Sequence, residues 1–148
     1  MASLRDARER HAIMLRLEAL TPDHTPRWGR MTAPRMLAHM TDAFRMAFGE
    51  LAVTPKNLPL ARTFPLKHLI LYVLPFPRNA PTARELISRA PDDFDAERAT
   101  LRLQMVRMDP GAPSIVYAAH PLFGRLTAAQ WGVLAHKHLD HHLRQFGL

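Results

Sequence analysis

The last stretch of the chain, Thr127 to Leu148, constrains the fold most. Thr127 with Gln130 three residues on is a capping box, which starts a helix. No proline follows, and Gly132 is the only glycine before Gly147, so one long helix is predicted almost to the end. At about 100° per residue, Trp131, Ala135, His138 and His142 fall within about 60° of one another, with Leu134 and Gln145 flanking them. The face that should be buried therefore carries two imidazoles one turn apart. Neighbours at i and i+4 can converge on one ion at bond lengths of about 2.0–2.1 Å. Nine histidines in 148 residues also make chance pairs common. His136 projects to the opposite side, His141 sits on the flank, and Asp140 points to solvent. Half a metal site and two unrelated histidines both fit this segment.

Thr32 to Glu50 reads as a second long helix, with Thr32 as N-cap and Pro34 tolerated in the first turn. Met36, Met40, Ala43, Phe44, Ala47 and Leu51 form its apolar face. His39 lies at the margin of that face. A half-exposed histidine at a helix boundary and a ligand pointing into a cleft suit that position equally, and spacing does not choose.

Two further helices complete an all-α reading. The first runs from about Leu4 to Leu20, with Leu4, Ala7, His11, Met14, Leu15 and Glu18 on one stripe. His11 reads as an edge residue. In the loop that follows, His24 is expected exposed and Trp28 is expected to cover the helix ends. A long Pro-rich connection, Val53 to Pro81, holds a short helical stretch near Leu66–Leu74. Connections this long inside a small domain are usually functional or structural covers. Thr82 with Glu85 is a second capping box, opening a short helix ended by Pro91. Asp92 or Asp93 then caps a helix from Phe94 to Met108, and Asp109–Ser114 is a turn. Eight methionines, mostly on helix faces, read as flexible core. His120, held extended by Pro121, reads first as a pin for its own loop and second as a group on the substrate side of a metal. No internal repeat or domain boundary interrupts residues 1–148, which read as one domain.

Four segments together carry a resemblance: Trp28-Gly29-Arg30-Met31, Met36-Leu37-Ala38-His39, His120-Pro121-Leu122-Phe123-Gly124, and the ending His138-Leu139-Asp140-His141-His142-Leu143-Arg144-Gln145. In order and separation they resemble the DinB-like (DinB/YfiT) superfamily over nearly the whole chain. The resemblance implies a four-helix bundle with a long Pro-rich connection between its second and third helices. It also implies a divalent metal held by three histidines, which by position are His39, His138 and His142. It selects the same C-terminal pair as the helical wheel. His120, His141, Gln145 and Trp28 are then candidates for the surroundings of the ion or the substrate side; no catalytic group is assigned. DinB-like proteins commonly form homodimers, so a homodimer is expected.

Three neutral imidazoles without a carboxylate would leave an ion its full charge and an open position, as catalytic sites require. Zinc, nickel, iron and manganese all suit three histidines. The characterised DinB-like enzymes imply transfer or isomerisation with a low-molecular-weight thiol such as mycothiol, bacillithiol or glutathione. The chain has no cysteine, so any thiol must be a cosubstrate; disulfides, a Cys nucleophile and a thiolate zinc site are excluded. The expected function is metal-dependent transfer of such a thiol to a small electrophile, or metal-assisted hydrolysis. The alternative is a non-catalytic dimeric bundle that binds a small ligand or partner, its metal site structural or vestigial. The net charge of +7 comes from scattered basic residues, without an aromatic-interleaved cluster or a helix-turn-helix. A solvated basic surface, no nucleic-acid partner and an electropositive mouth for anionic substrates follow. The start lacks an apolar signal core, and the longest apolar run, from Leu69 to Phe76, is too short to span a bilayer. A cytoplasmic protein without a membrane partner is expected.

Overall fold

A computed structural model describes residues 1–148. The chain is all-helical, with five α-helices and no strand. They are α1 (Ala7–Glu18), α2 (Ala33–Ala47), α3 (Leu66–His68, continuing as a π turn over Leu69–Val73), α4 (Phe94–Val106) and α5 (Ala128–Gln145). Each of the four long helices starts on a side-chain cap: Asp6, Thr32, Asp93 and Thr127 accept backbone N–H groups of the first turn. Both halves of the Thr127–Gln130 capping box form. These contacts satisfy donors that the first turn cannot pair internally.

Helix α2 packs against α4 and α5, while α1 packs against α5 and α4. Most of α2 is buried, including Met36, Leu37, Met40 and Phe44, and the core continues through Leu101 and Met105 of α4 and Leu139 and Leu143 of α5. The segment before α1 crosses α5 closely enough that the Leu4 N–H donates to the Gly132 carbonyl at 3.0 Å. A Cβ at Gly132 would sit 2.5 Å from Ser3 Oγ, which explains a glycine inside an otherwise uninterrupted helix. No helix is long and apolar enough to cross a membrane.

Three local expectations are corrected. The buried face of α1 is Ile13 and Leu17, joined by Leu4 and Leu20, whereas Ala7, His11 and Glu18 are exposed, Leu15 is 60% exposed and Met14 is half-buried. Residues 4–6 form a turn, so a helical phase carried from Leu4 was set before the helix begins. The Thr82–Glu85 capping box does not form: Thr82 donates to the Ala80 carbonyl, and Glu85 accepts from the Thr54 N–H at 3.1 Å and its hydroxyl at 2.7 Å. Only a 3-10 turn, Arg84–Leu86, remains there. Asp140 is half-buried rather than solvated, accepting from Arg16 at 2.8 Å and from Arg144.

Candidate metal centre

Two helices and one turn build the centre. Helix α5 projects His138 and His142 one turn apart toward α2, which contributes His39. His39 is 3% exposed, so the marginal position read from its periodicity is in fact interior. The reason is the turn containing Leu86, which packs across that edge of α2. His138 Nε2 lies 3.0 Å from His39 Nε2 and 3.1 Å from His142 Nε2. Each residue offers one ligand atom, and these atoms all lie within 4.8 Å of one another.

The outer nitrogens decide what the inner ones can do. His39 Nδ1 donates to the Leu86 carbonyl at 2.9 Å. His142 Nδ1 donates to Gln145 Oε1 at 2.8 Å, and the amide of Gln145 is oriented because its Nε2 donates to the Trp28 carbonyl at 2.8 Å. With Nδ1 protonated in both rings, both Nε2 atoms carry lone pairs. They face a third Nε2, on His138. One proton on His138 satisfies one of those contacts and leaves the other as lone pair against lone pair. A cation resolves the conflict. The observed separations fall near the edge of a tetrahedron with 2.0–2.1 Å bonds, about 3.3 Å. These three close-set histidines could bind a metal, and the nitrogens that His39 and His142 would offer it are left without hydrogen atoms.

Burial works toward the same end. It lowers the His39 pKa, lowers that of His142 to about 3 and holds His138 well below the ordinary value, the neighbouring imidazoles adding to the shift of the last two. All three rings are neutral at pH 7, the form that ligates.

Phe76, between Pro75 and Pro77, lies flat on the His138 ring with centroids 5.1 Å apart and planes 3° from parallel. The Pro-rich connection therefore covers the centre. Arg89 ties the turn that carries Leu86 to the helices. Its guanidinium donates to both carboxylate oxygens of Asp42 on α2, at 3.3 and 3.2 Å, and to both of Glu97 on α4, at 2.7 and 2.6 Å. These bonds hold the Glu97 carboxyl below its usual range.

The other named residues fall around this core. Trp28 is half-buried, meets His141 edge-on at 5.7 Å and carries the Arg78 guanidinium 4.4 Å above its ring. Gly29 has φ +76, and a Cβ there would come within 3.0 Å of Gln145 Nε2, so this glycine admits the Trp28–Gln145 contact. His141 touches Phe76 and His142 rather than the three converging nitrogens. His136 pairs with Glu9 of α1 at 3.3 Å, away from the centre. His120 does pin its loop, Nδ1 accepting the Leu122 and Phe123 N–H groups, and its ring also lines the cavity that contains the three histidines. His11 is exposed; His24 is half-buried and uses Nδ1 to accept the Thr21 N–H. Sequence reading missed the Leu86 carbonyl, Phe76 as a cover and the Arg89 clasp. A backbone carbonyl leaves no residue-type signal, whereas Phe76 could have been noticed as the one aromatic between two helix-breaking prolines.

The cavity measures about 910 Å³ and is lined mainly by apolar side chains, among them Met31, Phe44, Leu86 and Leu134. Its volume suits a small organic molecule. The profile of a family described as "Protein of unknown function (DUF1569)" matches residues 10–147, and the chain belongs to that family. No curated protein and no solved structure matches the chain.

Proposed function

We propose that this DUF1569 chain is a metal-dependent enzyme on a DinB-like four-helix bundle, with the Pro-rich connection between the second and third long helices serving as a cover. His39, His138 and His142 are its ligands. The observation that carries the reading is the convergence of three Nε2 atoms at 3.0 and 3.1 Å while two of the outer nitrogens are committed as donors.

His39, His138 and His142 would hold a divalent ion through neutral nitrogens, and the ion would supply Lewis-acid chemistry to an oxygen or sulfur of the reactants. The protein's own residues do the rest. Leu86 and Gln145 fix the tautomers of His39 and His142, as outer partners of metal-bound histidines do. Phe76 shields the His138 ring from solvent, and the cavity holds the organic reactant beside the centre. With no cysteine in the chain, a thiol would enter as cosubstrate. The two reactions proposed are transfer of a low-molecular-weight thiol to a small electrophile and metal-assisted hydrolysis.

The second reading is a non-catalytic dimeric bundle that binds a small ligand or partner, its homodimer proposed from the superfamily resemblance alone. Turnover separates the readings. Metal-loaded protein is assayed against glutathione, mycothiol and bacillithiol with an electrophile panel, and against ester and amide substrates. Activity that disappears in His142→Ala supports the enzyme. Inactivity of a demonstrably metal-loaded protein across the whole panel favours the binding module.

A further inference from the structure

Small side chains stand beside the histidines and leave room there. Ala43 on α2 is four residues beyond His39, about 6 Å along the helix axis, and Ala135 on α5 is three residues before His138, about 4.5 Å along its own. Both alanines line the cavity, as does Ala47 one turn further along α2. A leucine at these positions would fill space that a methyl group leaves open next to the centre. Around that space the wall is apolar, with Met31, Met40, Phe44 and Leu134 among its side chains.

Neither sign of charge finds a partner on this wall. No aspartate or glutamate lines the cavity, so a cation would meet no carboxylate. Two lysines line it, and both ammoniums are turned onto backbone carbonyls: Lys56 Nζ donates to Pro81 at 3.0 Å, and Lys137 Nζ donates to Ile70 at 2.6 Å and Leu71 at 3.4 Å. Arg30 also lines the cavity but is exposed, with its charge in water. The indole nitrogens of Trp28 and Trp131 are closed off. His120 is neutral at pH 7, since burial and the nearby Lys56 and Lys67 charges lower its pKa to about 4. An ion entering such a space loses its water without gaining a partner, whereas an apolar body gains by leaving water.

We propose that the cavity takes an uncharged, largely apolar small molecule, its body against Ala43 and Ala135 and its reactive end at the histidine centre. As a substrate class this rests on the proposed function and deepens it: in thiol transfer the cavity holds a neutral electrophile, and the hydrophilic thiol approaches from solvent. The selectivity of the wall itself requires no metal.

The test is calorimetric titration of the purified full chain at pH 7.5 with three probes of one shape: 2-naphthalenemethanol, 2-naphthalenesulfonate and 2-naphthylmethylamine, which is protonated at this pH. The alcohol is expected to bind at least fivefold tighter than either charged probe. Ala43→Leu and Ala135→Leu should each weaken the alcohol at least fivefold by filling the space it occupies. A preference for the alcohol below fivefold overturns the proposal, as does no measurable binding of the alcohol or alcohol binding unchanged in both variants. Should Ala43→Leu fail to fold, Ala135→Leu, at a half-buried position, decides alone. Metal content is measured on the same samples. A chain that holds its ion without preferring the alcohol loses this inference alone, and one that prefers the alcohol but holds no ion after reconstitution loses the enzyme reading alone.

Discussion

The capped helices and the connection between α2 and α4 contribute to one site in different ways. The helices begin on side-chain caps and bury long apolar faces, and they place His39, His138 and His142. The connection consists of short turns without side-chain caps and leaves much of its apolar surface in water: Leu60 is 72% and Phe64 82% exposed. Yet it supplies the Leu86 carbonyl and the Phe76 face. The positions of the three histidines come from the helices, and the orientation of His39 and the cover over His138 come from the connection. In the enzyme proposed above, this division would let the helices hold an ion while the connection admits a substrate.

Four substitutions or conditions probe that division, beginning with the joint between the two regions. Arg89→Ala leaves the buried Asp42 and Glu97 carboxylates without their shared cation. The expected cost is about 2–3 kcal/mol, below the value for a fully buried pair because the Arg89 side chain is 35% exposed. Urea denaturation reads it, and a loss under about 0.5 kcal/mol would show that the clasp does not hold the regions together. Chelation of the ion is expected to lower stability by about 1–3 kcal/mol with the helical circular dichroism retained, since the frame is apolar without it. Complete unfolding would instead make the three histidines a structural clasp.

Gln145→Leu removes the acceptor of the His142 Nδ1–H but keeps the shape. Metal affinity should fall about tenfold or more. Phe64→Ser, far out on the connection, should shift stability by no more than about 0.5 kcal/mol. A larger change would mean that the exposed apolar stretch is covered by something in solution.

The pH response has a defined sign. His120 has a folded-state pKa of about 4, below the unfolded value near 6.5. Between those values the unfolded chain binds more protons, so stability falls as pH drops from about 6.5 to 4 and is independent of this group above 7. His39, His138 and His142 act in the same direction in metal-free protein. Denaturation midpoints at pH 5 and 7 check this, together with an NMR titration in which His120 stays neutral through pH 5.5. Equal midpoints would contradict the burial of these rings.

The helices and the C-terminal pair were legible because periodicity and capping are local: Thr127 with Gln130 and the spacing of His138 from His142 lie within one element. His39 was visible as a candidate but not as an interior residue, since the Leu86 turn that buries it is 47 residues away along the chain. The stripe of α1 failed for a smaller reason, a phase carried through the turn before the helix. The orphan indole donors of Trp28 and Trp131 could not be read at all, because nothing in sequence tells which polar atoms will lack a partner. Membership in the DUF1569 family supports none of these details and contradicts none.

The central claim is that three imidazoles of two helices hold one divalent ion. Elemental analysis of purified, tag-free protein tests it, with His39→Ala, His138→Ala, His142→Ala and His136→Ala prepared in parallel. Close to one divalent ion per chain is expected in the parent and in His136→Ala, whose ring faces Glu9, with loss of most of the metal in the other three. Metal lost equally from His136→Ala and His142→Ala, or absent from the parent after reconstitution, would contradict it.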